Sequence, residues 1–538
     1  MTIIPTQNIL VLRLASCNLT IVPNFLRQQK GIGDLDLSNN HIVGHIPNWI
    51  WETREHFVYI NLSHNLFTSV KKNLANVSTY HGGLTLDLSS KKIEGPLPLP
   101  PLVGGQLDYS NNHFNSSVTA EFWSQVLSGW FLSLSNNSLS GEVPHSICNM
   151  TYIQVLDLSF NSFSGMIPPC LLEENKNLTV LNLRGNNFHG HLPQKIRKER
   201  TLTAVDLNGN KLNGKLPMSL VNCGMLQILD LGNNQIVDIF PEWLGVLPLL
   251  KVLVLRSNSF YGHIDHHYGE VKHMHSIFPA LQVLDIASND FHGRIPEGFL
   301  KKLKAMTVVS ALPPNVHDDT MPQYMFTYYY KNLVTVMQKG LELTLVNILS
   351  VFTTLDLSNN NFESTISNEI GDLKSLVGLN LSRNSFSGEI PPQIANILQL
   401  ESLDLSYNQL SGEIPPAMAH LSFLEVLNLS YNHLLGPIPQ SNQFLTFQDT
   451  SYLGNDGLCG KPLSHTCDTN HTPPAAEMPG SSKEVNWDVL SIEVGVIWGM
   501  AIVVGTTLLW SNGRTWVYWY MDMFLLWILQ PWIRHRRH

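Results

Sequence analysis

The amino-acid sequence predicts an α/β solenoid, in which many short coils stack on one another and share a core. The first observation is a recurring segment with the pattern Leu-x-x-Leu-x-Leu-x-x-Asn, as in "LESLDLSYN" at residues 400–408. The second is the spacing, because most copies follow the previous one by 24 or 25 residues. The third is a Gly-x-apolar-Pro segment after many copies, for example at residues 412–415. One coil of this length cannot bury its own apolar face, so the coils are expected to stack.

The repeat occurs sixteen times and covers nearly all of residues 9–439. Each Leu-x-Leu is predicted to be a short strand whose apolar residues point into the core. The copies, named by the second of these two apolar residues, are Leu14, Leu37, Leu62, Leu88, Tyr109, Leu134, Leu158, Leu183, Leu207, Leu231, Leu255, Ile286, Leu357, Leu381, Leu405 and Leu429. Two steps are longer than the rest, at 31 residues from Leu255 to Ile286 and 71 residues from Ile286 to Leu357.

The asparagine of the pattern is present in fourteen of the sixteen copies. Its side-chain amide can bond the backbone of neighbouring coils at a tight turn. The fourteen are Asn40, Asn65, Asn112, Asn137, Asn161, Asn186, Asn210, Asn234, Asn258, Asn289, Asn360, Asn384, Asn408 and Asn432. Cys17 and Lys91 replace it in the other two copies. Cys17 is expected to substitute as a weak donor, whereas the coil of Lys91 is expected to be distorted.

The residue between the two strand leucines faces the inner, concave surface of such a solenoid. Nine copies carry aspartate there, namely Asp36, Asp87, Asp108, Asp157, Asp206, Asp230, Asp285, Asp356 and Asp404. Paired carboxylates can perform acid–base catalysis, but that chemistry needs two different environments, and a repeated column supplies one. We therefore interpret these aspartates as repeat positions that are bonded locally and solvated.

Ten Asn-x-Ser/Thr sequons are predicted N-glycosylation sites of a secretory-pathway protein. They begin at Asn18, Asn61, Asn76, Asn115, Asn136, Asn149, Asn177, Asn380, Asn428 and Asn470. Those at Asn61, Asn380 and Asn428 fall on the inner-face position, and sugars at the last two would restrict that part of the concave face.

Composition and cysteine spacing exclude several classes of function. The net charge is -9 and no Lys/Arg-rich block is present, so no nucleic-acid partner is expected. None of the six cysteines forms a Cys-x-x-Cys pair, which argues against a zinc or redox site. Cys148 and Cys170, 22 residues apart, occupy similar places in neighbouring repeats, so stacking makes them a candidate disulfide. Cys223 is expected to be a buried thiol.

The sequence contains no convincing set of catalytic or metal-binding residues. A histidine-rich segment lies in the 31-residue step and contains His263, His266, His267, His273 and His275. Its spacing fits no closed metal site, so we interpret it as a solvated loop. Neither a Ser-His-Asp order, a phosphate-binding loop nor a nucleophile elbow stands out. We predict a protein that is not an enzyme and needs no cofactor.

The 71-residue step consists of a repeat plus an insertion at residues 300–350. The first half of the insertion is polar and contains proline, which favours a loop. The segment "YYYKNLVTVM" at residues 328–337 favours a strand by composition. Long insertions in a rigid scaffold tend to carry function.

The repeats, the insertion with its "YYY…V…KGLEL" segment and the four final repeats together resemble the plant leucine-rich repeat receptor-like proteins. That resemblance implies a kinase-less cell-surface receptor, acting in defence or development through an adaptor receptor kinase and a co-receptor kinase. It implies that a peptide or microbial protein ligand contacts the concave face and the insertion, which is called the island in that family. It also implies that the repeats at residues 357–429 meet the co-receptor. The island residues predicted to make contacts are Tyr328, Tyr329, Tyr330, Lys339 and Glu342.

The resemblance to this family also bears on the two ends of the repeat region. Residues 440–467 are similar to its C-terminal cap, in which Cys459 and Cys467 are the expected disulfide. The first residues show neither the signal peptide nor the cysteine-paired N-terminal cap of the family, so the chain is expected to be truncated there. A solenoid that lacks a cap exposes core at its end.

An apolar segment near the C-terminus predicts one transmembrane helix at residues 489–511. Residues 492–510 would rise about 28 Å as a helix, which matches a hydrocarbon core of about 30 Å. Arginines follow the segment, so a single-pass plasma-membrane protein with its solenoid outside the cell is expected. Residues 516–533 are predicted to lie at the membrane interface. Four small residues in the span have a spacing that lets two helices pack closely, and they are Gly495, Gly499, Ala501 and Gly505.

The predicted organisation, in chain order, is twelve repeats at 1–299, the island at 300–350, four repeats at 351–439, the cap at 440–467, a linker at 468–488, the transmembrane helix at 489–511 and a cytoplasmic tail at 512–538. The leading interpretation is a receptor of plant defence. The alternatives are a secreted-type inhibitor or wall-binding solenoid, and a non-functional fragment of a receptor gene.

Overall fold

The structure, a computed structural model, describes most of the repeat region and the cap. The described residues are 9–29, 31–51, 58–70, 83–89, 92–100, 105–198, 201–264, 278–308 and 352–467, with the backbone of two further strands at 334–338 and 341–345. They belong to one unit, Met1–Cys467. Lys91, whose coil was expected to be distorted, lies outside the described residues.

Sixteen parallel strands form one continuous sheet along the inner face, with one strand from each repeat. In sheet order they are Val11–Arg13, Asp34–Asp36, Tyr59–Asn61, Leu84–Asp87, Gly105–Asp108, Phe131–Ser133, Val155–Asp157, Val180–Asn182, Ala204–Asp206, Ile228–Asp230, Val252–Val254, Val283–Asp285, Thr354–Asp356, Gly378–Asn380, Ser402–Asp404 and Val426–Asn428. Equivalent residues of successive repeats lie side by side, as Leu156 does with Leu181. The predicted α/β solenoid is confirmed.

A second tier of short parallel strands follows the asparagine turn of most coils. One sheet contains Ser140–Glu142, Ser162–Gly165, Asn187–His191, Lys211–Gly214 and Gln235–Ile236. Another contains Tyr261–Gly262, Asp290–Gly293, Asn361–Thr365, Ser385–Glu389, Gln409–Glu413, His433–Pro437 and Gly457–Cys459. Two separate pairs are Val43–Ile46 with Leu66–Val70 and Glu94–Gly95 with His113–Phe114. The repeat glycine lies in this tier in a left-handed conformation, as at Gly412 (φ +79°), where a side chain would be strained.

Short helices complete the coils on the outer side. The 3-10 helices are Asn24–Gln28, Asn48–Ile50, His145–Asn149, Met218–Asn222, Glu242–Val246, Asn368–Asp372, Pro392–Asn396, Pro416–His420, Asn442–Leu445 and Asp449–Ser451. The α-helices are Ala120–Gln125, Cys170–Glu173, Phe299–Lys302 and Lys304–Thr307. Repeat prolines precede many of them, such as Pro391 before Pro392–Asn396. Proline suits a helix start because the first N–H groups have no intrahelical acceptor.

The repeat asparagine is the link between coils, as its position in the pattern predicts. Asn408 donates from Nδ2 to the carbonyl oxygens of Leu381 (3.0 Å), Leu405 (3.1 Å) and Ser406 (3.2 Å). Its Oδ1 accepts from the N–H of Phe386 at 3.0 Å. Cys17 reproduces part of this arrangement, because its exposed Sγ donates to the Ala15 carbonyl oxygen at 3.4 Å, the equivalent of the Asn408 bond to Ser406. Cys17 is thus a weak donor, as expected, with one such bond where Asn408 donates three.

The scaffold continues without a break past the insertion. Strand Val283–Asp285 pairs directly with Thr354–Asp356, although 71 residues separate their equivalent positions. Asn360 Nδ2 reaches the carbonyl oxygen of Ile286 at 3.1 Å, and the buried rings of Phe291 and Phe362 stack at 6.2 Å. Within the insertion, strands Val334–Gln338 and Leu341–Leu345 pair in antiparallel fashion.

The cap closes the solenoid by imitating a repeat. Asn455 donates from Nδ2 to the Leu429 carbonyl at 3.0 Å and accepts from the Leu434 N–H at 3.0 Å, as a repeat asparagine does. Strand Gly457–Cys459 pairs with His433–Pro437, and Tyr452 is fully buried. The last coil therefore meets apolar and hydrogen-bonded partners instead of water.

Candidate functional site: the inner face of the solenoid

The inner face carries an apolar run across seven consecutive strands. Each member stands immediately before the first strand leucine, and the run consists of Phe131, Val155, Val180, Ala204, Ile228, Val252 and Val283. The partly buried rings of Trp130 and Phe352 pack against it. Beyond Val283 the same position holds Thr354, then Gly378. The run therefore ends at the strand that precedes the insertion.

The neighbouring column of aspartates is more buried than the sequence predicted. Five of them are exposed by 7% or less, namely Asp157, Asp206, Asp230, Asp285 and Asp356. They are bonded locally, as Asp356 is when its Oδ1 accepts from the Ser358 N–H at 3.0 Å. The expectation that the column is solvated is wrong for these five, because adjacent strands place their side chains against one another instead of in water.

Two arginines lie among these carboxylates, where most copies of the repeat have serine. Arg184 Nη1 is 3.3 Å from Asp230 Oδ2 and 3.7 Å from Asp206 Oδ2. Arg256 Nη1 is 3.1 Å from Asp285 Oδ2. Both guanidinium groups thus pair with carboxylates of the coils that follow them, and they offset part of the negative charge of the inner face.

The ion pairs do not offset the cost of burying the acids. Burial raises the pKa of Asp285 to about 8; the charge of Asp356 adds to this rise and Arg256 opposes it. Burial also raises the pKa of Asp206 well above its usual value, with Asp230 adding and Arg184 opposing. These groups can hold protons that ordinary aspartates lose, since burial penalises the charged form.

A groove of 560 Å³ lies on the inner face across the last four repeats. Asp356, Asn380, Asp404 and Asn428 form its central row, with Arg256 and Arg383 also lining it. Asn380 Nδ2 donates to Asp356 Oδ2 at 3.2 Å, and Asn428 Nδ2 donates to Asp404 Oδ2 at 3.3 Å. The groove therefore offers hydrogen-bonding groups and both signs of charge beside the strand where the insertion rejoins the scaffold.

A stack of three side chains stands along one rim of this groove. The Arg383 guanidinium lies 4.5 Å from the centre of the Tyr407 ring, and the Tyr407 and Tyr431 rings stack at 4.3 Å. Both tyrosines are exposed, by 41% and 46%. We call Arg383, Tyr407 and Tyr431 the rim stack. Sequence reasoning missed it, although these three residues share one position in successive repeats.

The predicted island and span residues are largely beyond what the structure describes. Tyr328, Tyr329, Tyr330 and Lys339 lie outside the described residues, and Glu342 is known only as backbone in strand Leu341–Leu345. The four small residues of the span, Gly495, Gly499, Ala501 and Gly505, are also outside them. Within the described residues, no helix is both long and apolar enough to cross a membrane.

The predicted cysteine pairs are brought together. The Sγ atoms of Cys148 and Cys170 are 1.94 Å apart, and those of Cys459 and Cys467 are 1.90 Å apart. Cys223 is a buried thiol. The first pair ties helix Cys170–Glu173 to the preceding coil, and the second closes the end of the cap.

The histidine segment contributes one described pair. The rings of His263 and His292 lie 4.8 Å apart, and the other four histidines of the segment lie outside the described residues. Among the residues that the structure covers, no three His, Cys, Asp or Glu side chains are grouped so that they could hold a metal ion.

Family models of the leucine-rich repeat match nine segments of the chain. They are residues 33–52, 130–150, 152–173, 177–198, 200–260, 352–373, 375–397, 399–421 and 423–445. These segments lie on both sides of the insertion.

Curated relatives with long matches are receptor-like proteins of Arabidopsis thaliana. Receptor-like protein 54 is 39% identical over 513 residues, which cover 92% of this chain and 60% of that protein. Receptor-like protein 32 is 36% identical over 375 residues, and receptor-like protein 35 is 37% identical over 374. Each of these two matches covers 69% of this chain but only 36% and 34% of the relative, so the chain spans about a third of their length.

Solved structures extend the comparison to three dimensions. The Arabidopsis receptor kinase HAESA, in complex with the peptide hormone IDA and the co-receptor SERK1, matches with a TM-score of 0.63 and 29% identity over 85% of this chain and 67% of that one. A complex of PEPR1 with AtPEP1 shares the fold, with a TM-score of 0.50 and 24% identity over 78% of this chain and 61% of that one. From its repeats, its fold and these relatives, the chain is a leucine-rich repeat protein related to the plant receptor-like proteins.

Proposed function

We propose that this chain is the ligand-binding part of a plant cell-surface receptor that has no kinase of its own. It binds a peptide or small protein on its inner face and signals through an adaptor receptor kinase and a co-receptor kinase, in defence. It is anchored by a single span at residues 489–511. The related receptor-like proteins and the HAESA complex support this proposal.

The observation that carries the proposal is the groove beside the insertion. An extended ligand needs a long rigid surface with a few well-placed polar groups, and the continuous sheet supplies that surface. The apolar run up to Val283 offers hydrophobic contact, and the row from Asp356 to Asn428 offers hydrogen bonds. The island residues Tyr328, Tyr329, Tyr330, Lys339 and Glu342 are proposed to complete the contact from the insertion.

The rim stack is the proposed co-receptor contact. In the HAESA structure a co-receptor is part of the complex, and this chain presents exposed aromatic rings and an arginine on repeats next to the groove. Tyrosine and arginine are enriched among the residues that dominate binding energy at interfaces. A partner resting on Tyr407 and Tyr431 would lie close enough to sense what occupies the groove.

The test uses two charge reversals at equivalent repeat positions. Asp404→Arg changes the groove, whereas Asp36→Arg changes the same column position in the second repeat, far along the chain from it. Leaf tissue that expresses the full chain is challenged with microbial culture filtrates and synthetic peptides, and the oxidative burst is measured. We expect the parent and Asp36→Arg to respond and Asp404→Arg to lose the response at equal surface level.

Two results would contradict the proposal. An unchanged response with Asp404→Arg together with a lost response with Asp36→Arg would move the ligand to another part of the inner face. Release of the chain from membranes by a high-pH carbonate wash would instead favour a secreted inhibitor or wall-binding solenoid.

A further inference from the structure

The sequons of the described residues fall into two groups according to burial. In the inner group, which begins at Asn61, Asn380 and Asn428, the asparagines are half-buried and the third residue is a buried serine. These serines are Ser63, Ser382 and Ser430, with exposed fractions of 2%, 6% and 5%. The hydroxyl group that defines each of these sequons is therefore closed off from water in the folded protein.

Both ends of each inner asparagine amide are occupied. Asn380 Oδ1 accepts from the N–H and Oγ of Ser382, at 3.1 and 2.7 Å, while Nδ2 donates to Asp356 Oδ2 at 3.2 Å. Asn428 is held in the same way between Ser430, at 3.2 and 2.7 Å, and Asp404, at 3.3 Å. The asparagine and the serine of each inner sequon thus form the hydrogen-bonded turn that follows the inner-face strand.

Aspartate forms the same turn in other repeats, which shows that the turn needs no sequon. Asp36 Oδ1 accepts from the N–H and Oγ of Ser38 at 2.9 and 2.6 Å, as Asn61 Oδ1 does from Ser63. The structural requirement is an oxygen acceptor followed two residues later by serine, and asparagine meets it as well as aspartate.

The second group, called the outer group here, differs in exposure, although Asn136 Nδ2 and Asn177 Nδ2 also donate, to Asn111 Oδ1 at 2.9 Å and to the Thr151 carbonyl oxygen at 2.6 Å. It begins at Asn18, Asn115, Asn136, Asn149 and Asn177, and all five asparagines are exposed. The third residue, which carries the hydroxyl group, is also exposed in four of these sequons. In the fifth sequon this residue is Thr179, which is half-buried. Every member lies at residue 177 or earlier, so the described residues from 178 to 467 contain no exposed sequon.

Attachment of the sugar requires room at Nδ2. The amide nitrogen forms a bond to the anomeric carbon of a lipid-linked oligosaccharide diphosphate, the bond from that carbon to the phosphate oxygen breaks, the amide loses one proton and the lipid diphosphate leaves. Neighbouring strands lie about 4.8 Å apart. A sugar on Asn380 would have to fit between the side chains of Asp356 and Asp404 on the adjacent strands.

We propose that N-glycans occupy the outer sequons and that Asn61, Asn380 and Asn428 carry none in the folded protein. A chain that receives a sugar at an inner site before folding cannot close that coil and does not reach the folded pool. The exposed sequons of the early repeats thus carry sugar, while the described repeats from residue 178 onward, with the groove and the rim stack, stay bare for protein contact. This rests on the proposed cell-surface location, because only a chain in the secretory pathway meets the sugar donor.

The test maps glycopeptides on the full chain, expressed in plant cells behind an added secretory leader and recovered folded from membranes. We expect sugar on peptides containing the outer sequons and unmodified asparagine at Asn61, Asn380 and Asn428. Mapping the parent chain avoids any variant that fails to fold. Two matched variants add a second measurement: Asn149→Asp should remove one glycan from the mass of the intact protein, whereas Asn428→Asp should leave the glycan mass unchanged.

The outcomes separate this inference from the proposed function. Sugar on most copies of Asn380 or Asn428 in the folded pool would overturn the inference and leave the cell-surface location standing. A folded chain without sugar at any site would also overturn the inference, whereas the cell-surface location is tested separately by the carbonate wash.

Discussion

A single asparagine side chain supplies four hydrogen bonds to the backbone at each turn, and nearly every repeat depends on one. Removing it leaves buried carbonyl and N–H groups without partners, and each such group costs about 1–3 kcal/mol. Asn408→Ala is therefore expected to lower the free energy of unfolding by about 3 kcal/mol, as measured by the urea midpoint of the purified chain. The control is Asn396→Ala, at an exposed helix end, which is expected to change stability by less than about 0.5 kcal/mol. Equal midpoints for the two variants would contradict the bonding role.

The buried aspartates make stability depend on pH in a defined direction. The pKa of Asp285 rises from 3.8 to about 8 on folding, so between these values the folded state binds the extra proton. The stability that this extra proton contributes is fully present below the unfolded-state pKa, and it is lost as pH rises through the folded-state pKa. We expect the urea midpoint to fall from pH 5 to pH 8, and Asp285→Asn to weaken that fall.

Asparagine occupies the same column in four other repeats, so this variant suits the coil. The exposed variant Asp456→Asn should keep the parental pH dependence. A midpoint that falls equally in the Asp285 variant would show that the proton is bound elsewhere.

For individual residues, the sequence predicted the structural role of the repeat positions better than it predicted which side chains surround each residue. The repeat asparagines and strand leucines could be named because their role recurs in every copy. The burial of Asp285 could not, since it depends on Arg256 and Asp356 in adjacent coils and on apolar residues beside them. The substitution of arginine for serine at position 256 was a usable signal, because a cation in that column requires carboxylate partners nearby.

At the scale of elements, the second tier of strands shows where one substitution interrupts regular structure. Its two main sheets are separated between Gln235–Ile236 and Tyr261–Gly262, joined only by an isolated bridge at Ile239. The repeat at that place has Asp238 where others have the left-handed glycine. Asp238 instead accepts from the Leu216 N–H at 2.9 Å. The missing glycine could be read from the sequence, but the replacement bond required the neighbouring coil.

The insertion is the element for which a functional prediction is most direct. Changing Tyr328, Tyr329 and Tyr330 together to alanine should impair the ligand-triggered oxidative burst while leaving the surface level intact, because aromatic side chains supply much of the binding energy at many interfaces. The control is Tyr152→Ala, which removes a tyrosine that is 65% exposed in an early repeat. Unchanged signalling by the triple variant in a responsive receptor would exclude these three residues from ligand or co-receptor contact.

The cap depends on a short covalent loop. Peptide mapping without reduction should recover Cys459 and Cys467 in one linked peptide. Because the bond closes a loop of 8 residues, Cys467→Ser is expected to lower stability by about 2 kcal/mol. Cys17→Ser changes an exposed thiol and should have little effect. Two free thiols at the cap of the mature protein would rule the bond out.

For the whole molecule, the proposed function requires that the receptor pass its signal on through a partner kinase. The predicted span has small residues four apart, which allow close approach of a second helix. Replacing Gly495 and Gly499 with leucine should weaken co-precipitation of the adaptor kinase without altering membrane insertion. Leucine at Ile497 and Val504 provides a control that keeps the small residues. If the glycine variant co-precipitates as well as the parent, the span is only an anchor and recruitment belongs to the ectodomain.

The global fold could be predicted because one physical solution is repeated sixteen times. The groove, the rim stack and the end of the apolar run could not, because each arises from differences between copies. The sequence marks the insertion as a long gap between Ile286 and Leu357, but not that the strands on either side pair directly.

That direct pairing makes the insertion exchangeable. The coil before it and the coil after it are already bonded through Asn360 and stacked through Phe291 and Phe362, so the scaffold keeps its pitch whatever segment leaves and returns there. A single insertion, deletion or replacement in the gene could therefore change that segment while the rest of the solenoid keeps its fold. A family built on this plan can diversify what it recognises at a single locus while its framework stays constant, and a designer could graft a foreign binding loop at the same junction.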